Sequence, residues 1–574
     1  MDWELKHELK AQLEQETGYY KYPAGTRTSV ALVYPNSYFV GMSNLGLHII
    51  YELLNKHENT ACERVFLPER KDIQRYANTR TPLMSIENQR ALYEFPVIAF
   101  VLSFEMDYFH VIEMLQLGRV KVRAAERDER DPLIIAGGPC ATFNPEPLAA
   151  VVDAFVIGEG EVIVPALMDC YESAKRAGAS REEILRQLAA VPGVYVPSLY
   201  VHHYDAEHQL VRIEPQAGVP ATVTRQWVQD LDQFPAHTVV LTDNTEFNFY
   251  LIETARGCGR HCRFCMAGYC FRRPRNRSLG IVTREVKDAL KLGKRIGLMG
   301  AAISDYPEIN ELCREILGEG LSMSVASFRA DSVTKELVDS LAGSGLKTLT
   351  MAPEAGSVRM RAVINKGIEE KHLFTAMDLG LAAGIRNFRL YIMIGLPFEQ
   401  DEDIEAIIDL ANRLKDYMEE RGSNGMLTLS VNPFIPKPFT PFQWKPMAER
   451  KQVEKALKHL AQSLRKRAHV IVNIESPKEA YIQGVLARGD RQVGEALLQA
   501  VDLGGSKAFK RVLKDCGLRA EDYLYRERAE DEVFPWDTLD MGFTRKYIYD
   551  ELMKAAALKP TLQCFDGCHR CGVC

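Results

Sequence analysis

The stretch Glu253–Ser278 reads ETARGCGRHCRFCMAGYCFRRPRNRS and contains three cysteines at CxxxCxxC spacing. They are Cys258, Cys262 and Cys265, and Phe264 stands directly before the last one. Three neighbouring thiolates without a fourth can ligate three irons of a 4Fe-4S cluster and leave the fourth iron open to a substrate or cosubstrate. The spacing therefore indicates a reactive iron–sulfur centre, with a zinc or structural site as the alternative.

The bulk composition limits the class of protein. A chain of 574 residues is too long for one compact core, which predicts two to four domains. The net charge of −6, with 46% hydrophobic and 26% charged residues, gives no global argument for nucleic acid or membrane. The start MDWELKHELK has no apolar core, and runs such as Val97–Phe104 are too short to span a bilayer. We therefore expect a cytoplasmic protein without a membrane partner.

A second group of cysteines crowds the end of the chain. Of the 13 cysteines, four lie there, namely Cys564, Cys568, Cys571 and Cys574. Tight clusters without an export signal favour metal ligation over disulfides. Cysteines three or four apart in one short run have a ferredoxin-type spacing, which favours a second 4Fe-4S cluster. Zinc and a disordered redox tail are the alternatives.

Residues 1–170 alternate short apolar runs with segments of helical spacing. Strands are expected at Ser29–Tyr34, Val97–Ser103, Leu133–Ala136 and Ala154–Ile157. This pattern predicts an α/β fold with a Rossmann-like (flavodoxin-like) parallel sheet, in which ligands bind beyond the carboxyl ends of the strands. Glycine-rich turns fall at those ends and are candidate binding residues: Gly137, Gly138, Gly158, Glu159 and Gly160.

The remaining chain divides into three segments. Residues 171–245 are expected to be a linker region. Residues 246–446 repeat strand–helix units, which predicts a full or partial TIM-type barrel with its site at the carboxyl ends of the strands. Residues 447–574 are expected to be mostly helical and to end in the four-cysteine motif. Polar residues follow the expected barrel strands, among them Ser304, Ser327, Arg329 and Glu354.

The three-cysteine loop, at the end of a strand that opens an α/β repeat, resembles that of the radical S-adenosylmethionine superfamily. The resemblance implies that Cys258, Cys262 and Cys265 hold a 4Fe-4S cluster whose open iron binds S-adenosylmethionine. One electron would cleave the sulfonium bond, and the resulting 5′-deoxyadenosyl radical would abstract hydrogen from an unreactive C–H bond.

The resemblance also implies contacts to S-adenosylmethionine at the barrel turns. Gly300-Ala301-Ala302 stands where the superfamily usually has Gly-Gly-Glu, so the glutamate is missing here. The strand end around Ser327 and Arg329 would meet the ribose and carboxylate. The full set of implied cosubstrate residues is Phe264, Gly300, Ala301, Ser304, Ser327, Arg329, Glu354 and Gly395.

The N-terminal domain resembles the cobalamin-binding domain that precedes the barrel in one large subgroup, and the glycine turns match it. Members of that subgroup usually carry a cobalt-binding histidine in a loop after the first strand. Here the loop reads Gly41–Gly46 (GMSNLG), with Ser43 and Asn44 at this point. Cobalamin would therefore bind without a histidine lower ligand, and loss of the cofactor is the alternative.

Four arginines follow the cysteine loop directly: Arg272, Arg273, Arg275 and Arg277. They could hold a carboxylate or a phosphate, or pair with acids of the barrel. Both interpretations stay open at this point.

The leading functional hypothesis is methyl transfer to an unactivated carbon by a cobalamin-dependent radical enzyme. Three rivals remain: a methylthiotransferase that uses the tail cluster, a radical rearrangement or oxidation without methyl transfer, and a non-enzymatic iron–sulfur or RNA-binding accessory. The resemblance implies an electron donor and a small companion protein as partners. RNA, a peptide and a small molecule all remain open as substrates.

Overall fold

The computed structural model describes residues 2–23, 25–325, 327–565 and 567–573. Within these ranges the first sheet has six strands: β1 (Thr28–Tyr34), β2 (Thr60–Phe66), β3 (Val97–Val101), β4 (Leu133–Gly137), β5 (Ala154–Val156) and β6 (Val194–Tyr195). Their order is β2-β1-β3-β4-β5-β6, with β1 to β5 parallel and β6 antiparallel. The order 2-1-3-4-5 is that of flavodoxin-like sheets, so the predicted fold class of this domain is confirmed.

Helices cover both faces of this sheet, which explains why its strands read as continuous apolar runs. In β1 every residue after Thr28 is buried. The helices are α1 (Trp3–Leu13), α2 (Tyr38–Gly41), α3 (Leu45–Lys56), α4 (Arg70–Thr79), α5 (Tyr108–Leu117), α6 (Pro139–Phe143), α7 (Gly160–Arg176) and α8 (Arg181–Leu188).

The segment 171–245, expected as a linker, is built into the fold. It contains the end of α7, α8 and the edge strand β6, and then the antiparallel hairpin of β7 (Tyr200–Tyr204) and β8 (Leu210–Pro215). Strand β9 (Val223–Thr224) follows before the barrel begins.

Barrel strands follow from residue 250. They are β10 (Tyr250–Glu253), β11 (Ala255–Arg256), β12 (Arg275–Asn276), β13 (Ile296–Met299), β14 (Met323–Val325), β15 (Thr348–Glu354), β16 (Asn387–Ile394), β17 (Leu427–Pro433) and β18 (Val470–Ile474). Parallel pairing groups them into the sheets β10-β13-β14 and β15-β16-β17-β18. The short antiparallel pair β11–β12 brackets the three-cysteine loop. The arrangement is a partial barrel, one of the two forms that the sequence predicts.

Barrel helices lie outside these strands: α9 (Ala267–Cys270), α10 (Leu279–Lys291), α11 (Ile309–Gly318), α12 (Lys335–Gly343), α13 (Val358–Val363), α14 (Glu370–Ala382), α15 (Asp401–Glu420) and α16 (Arg450–Leu464). Strand β18 and helix α16 lie beyond residue 446, the expected end of the barrel. Val453, Leu457 and Leu460 of α16 are buried in the same core as β15–β17, so this part of the expected C-terminal region belongs to the barrel.

Most of the rest of the C-terminal region packs on the first domain, whereas its last helix contacts the barrel. Its elements are α17 (Pro477–Arg488), α18 (Arg491–Asp502), α19 (Ser506–Asp515), α20 (Ala520–Leu524), β19 (Leu539–Asp540) and α21 (Arg545–Ala556). Strand β19 pairs with β9, and the rings of Phe109 and Phe509 meet edge to face at 5.4 Å. Within the described ranges, no helix combines the length and apolar character that crossing a membrane requires.

A buried ion pair joins α18 to the first domain. The Glu146 carboxylate is fully buried and accepts a hydrogen bond from Arg491 Nε at 2.7 Å, with the Tyr195 hydroxyl as a second donor. Burial opposes ionisation of Glu146, but Arg491 and the nearby His202 bring its pKa below the ordinary value. The ionised form of Glu146 therefore depends on the positive charge of Arg491.

We expect Arg491→Met to destabilise the protein by about 3 to 5 kcal/mol, because it leaves the Glu146 carboxylate buried without its main cation. The matched control is Arg123→Met. The Arg123–Glu495 pair also joins the first domain to α18, but its side chains are 40% and 44% exposed, so the cost should stay below about 1 kcal/mol. Urea unfolding of both variants measures the difference, and equal costs would contradict this account.

Candidate functional site

The three-cysteine loop begins where β10 and β11 end. Gly257 has φ +81°, and a Cβ there would lie 2.1 Å from the Phe271 carbonyl oxygen, so the turn requires glycine. Cys262 is buried, and Cys258 and Cys265 are half-buried. Burial, followed by the neighbouring thiols of Cys262 and Cys258, raises the pKa of Cys265 to about 11. The three thiols are therefore close enough to influence one another electrostatically.

These residues fit a 4Fe-4S cluster better than a single ion. Among the described residues, no group of three His, Cys, Asp or Glu side chains is placed to hold one metal ion. A 4Fe-4S cluster places each thiolate on a different iron, so its three cysteines need not converge on one point. Bound metal would also deprotonate thiols whose pKa burial has raised.

Residues from the ends of β13 and β14 are tied together beside the loop. The Ser327 hydroxyl donates to the carbonyl oxygens of Gly300 at 3.2 Å and Ala301 at 3.0 Å. The Ser304 hydroxyl accepts a hydrogen bond from the Arg329 N–H at 2.9 Å. Five of the predicted cosubstrate residues thus make hydrogen bonds between the same two strand ends, and their role as ligands stays a prediction.

Arg329 connects this group to the cysteines. Its Nη1 lies 3.9 Å from Cys262 Sγ, and its Nε donates to Asp331 at 2.9 Å. Its Nη2 donates to the Lys366 carbonyl oxygen at 2.6 Å. Arg329 therefore places a buried positive charge beside one of the three cysteines and ties it to the end of β14.

Glu354 and Phe264 share a partner in Lys366. Glu354 ends β15 with φ +66°, and its carboxylate pairs with Lys366 Nζ at 3.1 Å. The same ammonium group lies 5.6 Å from the centre of the Phe264 ring. The structure therefore places Glu354 in an ion pair next to the cluster loop.

Gly395 follows β16 with φ +83°, and its N–H donates to the Glu399 carboxylate at 2.7 Å. Burial raises the pKa of Glu399 to about 7. This carboxylate reinforces the tight Gly395-Leu396-Pro397 turn at the edge of the site.

A cavity of about 480 Å³ lies between the first domain and the barrel. Many of the predicted residues line it: Asn44, Gly137, Gly138, Gly158, Glu159, Gly160, Gly300 and Ala301. Ser43 lies outside this lining. Its hydroxyl donates to the Phe39 carbonyl oxygen and accepts from the Glu246 N–H, both at 2.8 Å. The interpretation of Ser43 as a cofactor contact is therefore not supported by its position.

Two of the glycine turns require glycine because the protein's own backbone lies close to them. Gly138 has φ +104°, and a Cβ there would lie 2.7 Å from the Leu102 carbonyl oxygen. Gly158 has φ +124°, and its Cβ would lie 2.0 Å from the Gln226 carbonyl oxygen. The close approach inferred for a ligand is thus made by the protein's own backbone, although both residues still line the cavity.

Glu159 is occupied by ion pairs that cross the domain boundary. Its carboxylate accepts hydrogen bonds from Arg275 at 2.6 Å, Arg256 at 3.1 Å and the Val228 N–H at 2.8 Å. Burial opposes ionisation, but the hydrogen bond from Arg275 and the charge of Arg256 lower the pKa of Glu159. A direct cofactor contact, as predicted, would have to compete with these partners.

The other arginines after the loop also contact protein groups. Arg277 pairs with Glu253 at 2.7 Å, and Arg272 places two guanidinium nitrogens within 3.3 Å of the His261 ring nitrogens. Arg273 is exposed. Of the two interpretations left open by the sequence, pairing with a barrel acid describes Arg277. Arg275 pairs with Glu159 of the first domain, and Arg272 contacts a histidine.

The lining of the cavity suits a large, mostly apolar ring. It combines the sheet face, with Leu32, Ala99 and Ile135, and the glycine turns, and no histidine lies among its described lining residues. His48 is buried on α3, and its Nε2 lies 3.0 Å from the Met42 carbonyl oxygen. Burial lowers the pKa of His48 to about 4. The residues fit cobalamin held without a histidine on cobalt.

The cysteine tail lies against the three-cysteine loop. The Cys564 N–H donates to the Gly259 carbonyl oxygen at 2.8 Å, and Cys564 Sγ lies 3.6 Å from His261 Nε2. Cys568 and Cys571 are buried, and Cys574 lies outside the described residues. Described tail thiols and the first cluster loop thus share one region.

One residue inside the loop and one that contacts it hold the tail in place, a role that sequence spacing does not indicate. Arg263, which stands between Cys262 and Cys265 in the sequence, is buried and donates to the Lys559 carbonyl oxygen at 2.6 Å. Asn365 donates to the carbonyl oxygens of His261 at 3.1 Å and Thr561 at 3.0 Å. The partners are separated by up to 296 residues, so the link exists only in the folded chain.

Two family models match the parts of the chain that build this site. Residues 252–411 match the radical SAM superfamily, and residues 46–197 match the N-terminal region of radical SAM proteins. The chain carries a radical SAM domain. The predicted resemblance is thereby confirmed, and the cluster loop and the strand ends around it lie inside the matched range.

The curated proteins that the chain resembles share less than a third of its residues. An uncharacterized protein of Methanocaldococcus jannaschii is 29% identical over 471 residues, covering 82% of this chain and 90% of that protein. A tRNA-2-methylthio-N(6)-dimethylallyladenosine synthase of Bdellovibrio bacteriovorus is 20% identical over 219 residues, covering 36% of this chain and 46% of that enzyme.

Among solved structures, the radical S-adenosylmethionine methyltransferase TsrM from Kitasatospora setae, with cobalamin and a 4Fe-4S cluster bound, aligns with a TM-score of 0.50. The alignment covers 86% of this chain and 99% of TsrM at 13% identity. The alignment shows that this chain and TsrM share a fold.

Glu399 predicts a pH dependence of stability. Because its pKa is about 7 in the folded chain against 4.5 ordinarily, the folded state binds more protons than the unfolded state between these values. The contribution of Glu399 to stability should therefore fall by up to about 2 to 3 kcal/mol as pH rises through this window, against the opposite contribution of buried histidines such as His48. Glu399→Gln should remove this slope, whereas Glu402→Gln, at an exposed position of α15, should keep it. Urea unfolding at about pH 5 and about pH 8 measures both, and an unchanged slope in Glu399→Gln would refute the assignment.

Proposed function

We propose that this radical SAM enzyme reductively cleaves S-adenosylmethionine and directs the 5′-deoxyadenosyl radical to an unactivated C–H bond of a substrate held between the two domains. The observation that carries the proposal is that Gly300 and Ala301 belong both to the hydrogen-bonded group beside Cys262 and to the lining of the inter-domain cavity. A radical formed at the cluster loop would therefore reach the cavity between the two domains.

The chain's own residues would position S-adenosylmethionine. Cys258, Cys262 and Cys265 would hold the cluster, which when bound supplies one electron and an open iron. The fixed carbonyl groups at Gly300 and Ala301 can accept hydrogen bonds from the methionine amino group in place of the missing glutamate. Glu354, held by Lys366, places a carboxylate at the next strand end.

Methyl transfer is the reaction we favour within this class. Cobalamin, which supplies a transferable methyl group when bound, would be held by the cavity between the sheet face and Arg256, Phe271 and Met299 of the barrel. Its apolar lining and lack of a described histidine support a cofactor without a histidine lower ligand. An electron donor and a small companion protein are the partners we propose.

A methylthiotransferase with auxiliary cysteines before the barrel is less favoured. The cysteines there are Cys62 on β2, Cys140 on α6 and Cys170 on α7. Cys62 and Cys140 are buried in the hydrophobic core of the first domain. A sulfur-donating cluster would have to come from the tail.

The tail is proposed to hold a second iron–sulfur cluster. Cys568 and Cys571 are each only 4% exposed, although they lie within seven residues of the described end of the chain. The backbone of Cys564 is hydrogen-bonded to Gly259 of the first loop, which supports a cluster close enough to pass electrons to it. Zinc is the alternative metal.

Replacing Cys258, Cys262 and Cys265 together by Ala should abolish 5′-deoxyadenosine formation and remove about four irons per chain. Replacing Cys564, Cys568 and Cys571 by Ala should remove a similar amount and leave the first cluster's signal. Cys516→Ala, at the end of α19, should keep all iron and activity. Anaerobic reconstitution with dithionite, iron analysis and electron paramagnetic resonance provide the measurements.

Wild-type protein that forms no 5′-deoxyadenosine would refute the enzyme proposal. Two clusters remaining in the first variant would refute the ligand assignment. If the variant without Cys258, Cys262 and Cys265 contains zinc and no iron, the tail is a zinc site and not an iron–sulfur cluster.

The cobalamin proposal predicts that protein purified with hydroxocobalamin retains its absorbance. Ala99→Phe should reduce the retained cobalamin several-fold, because the ring would extend from β3 into the cavity. The control Ala190→Phe adds the same ring at an exposed position after α8 and should retain it. The methyl-transfer proposal is refuted if the wild-type protein shows no cobalamin absorbance. It is also refuted if turnover forms no S-adenosylhomocysteine.

A further inference from the structure

Strand β18 is a free edge of the barrel sheet β15–β18. It pairs in parallel with β17 on one side, and no other strand of the described chain pairs with its second side. Ile471 and Ile474 are 43% and 42% exposed. An open strand edge presents backbone N–H and carbonyl groups to any further strand that can reach it.

The pairing with β17 shows which backbone groups of β18 are free. The Leu427 N–H donates to the His469 carbonyl oxygen at 2.9 Å, before the strand. The Glu475 N–H donates to the Val431 carbonyl oxygen at 3.1 Å, after it. Residues 469 and 475 thus face β17. Because bonding to one neighbour alternates along a strand, the even-numbered residues direct their backbone groups outward.

The outward groups belong to Val470, Val472 and Ile474. The Val470 N–H already donates to the Arg467 carbonyl oxygen at 3.3 Å. The N–H and carbonyl groups of Val472 and Ile474 make no backbone hydrogen bond to another described segment. A second strand beside β18 would therefore find donors and acceptors that the chain leaves unused.

Two other sheet edges of this chain are covered. Beside β2, the Ile86 N–H donates to the Arg64 carbonyl oxygen at 2.9 Å, and beside β10, the Thr238 N–H donates to the Leu251 carbonyl oxygen at 3.0 Å. Strand β18 reads VIVNI, four β-branched residues without the charge or proline that usually protects an open edge. Its composition thus favours pairing.

Charges of opposite sign flank β18. The charged residues just before it are basic: Arg465, Lys466 and Arg467. Those just after it are acidic overall: Glu475, Lys478 and Glu479. Arg467 is paired with Asp416 and Glu419 of α15, whereas the other five are exposed. In an antiparallel pair of two such strands, each basic flank lies beside the acidic flank of the partner.

We propose that two copies of this chain associate through β18, as antiparallel strands related by a two-fold axis at Val472. Val472 then lies opposite the partner's Val472, and Val470 lies opposite the partner's Ile474. All of these are outward-facing positions, as hydrogen-bonded pairs of antiparallel strands require. The same edge and the same two flanks complement themselves, which is the property of a two-fold interface.

The two four-stranded sheets would then form one continuous sheet across both copies. Because a single strand pair is a small interface, we expect reversible association at roughly 1 to 100 µM. The dimer does not depend on the proposed radical chemistry, so either proposal can fail without the other.

Sedimentation velocity of the full chain over about 1 to 100 µM should show a monomer–dimer equilibrium. Val472→Pro should weaken association at least about 10-fold, because it removes an outward N–H from each copy. The monomer should tolerate this change, since proline is accepted on edge strands where the N–H faces solvent. Circular dichroism checks that the variant is folded.

Two charge-reversed variants test the antiparallel pairing itself. Arg465→Glu with Lys466→Glu makes both flanks of β18 acidic, and Glu475→Lys with Glu479→Lys makes both basic. Each variant alone should associate more weakly than the wild type, because like charges then meet across the strands. A mixture of the two should restore association. The control Lys71→Glu, on an exposed position of α4, should dimerise like the wild type.

The proposal is overturned if the wild-type chain stays monomeric over this range, and the edge would then be open to another extended segment. It is also overturned if folded Val472→Pro dimerises as well as the wild type, because the interface would then lie elsewhere. If Val472→Pro does not fold, the charge-reversed variants decide, and a mixture that associates no better than its components overturns the proposal.

Discussion

The buried ion pairs of Glu159 connect the two halves of the molecule. This carboxylate stands on a turn of the first sheet, and its partners Arg256 and Arg275 flank the three-cysteine loop on β11 and β12. Removing charges from water is costly unless they are paired with good geometry, so the turn and the loop hold each other in place. The inter-domain cavity opens at this junction, which sets where a second cofactor can lie relative to the cluster.

The C-terminal region adds a second connection. Its helices pack on the first domain through the buried Arg491–Glu146 pair, and the tail returns to the cluster loop through Arg263 and Asn365. The chain therefore passes from the first domain to the barrel, back to the first domain, and ends at the cluster loop. The cysteine tail and the cluster loop are thereby held together.

Residue patterns were most informative where the chemistry is local. The CxxxCxxC loop lies within eight residues, and the glycine turns follow strands whose apolar runs are visible directly, so both could be predicted. The positions of Glu159 and Arg275 could be read as candidates, but not as partners of each other. Pairing depends on contacts 116 residues apart, which local spacing does not encode.

The sequence by itself determined the cluster loop, the alternation of strands and helices in the first domain, and the repeated strand–helix units of the barrel. Periodicity and short motifs are properties of neighbouring residues. Only the tertiary structure decided that Ser43 lies outside the cavity, that the glycines of the turns meet the protein's own backbone, and that β18 keeps a free edge. Each of these depends on which distant segments meet, and the packing of the whole chain sets those meetings.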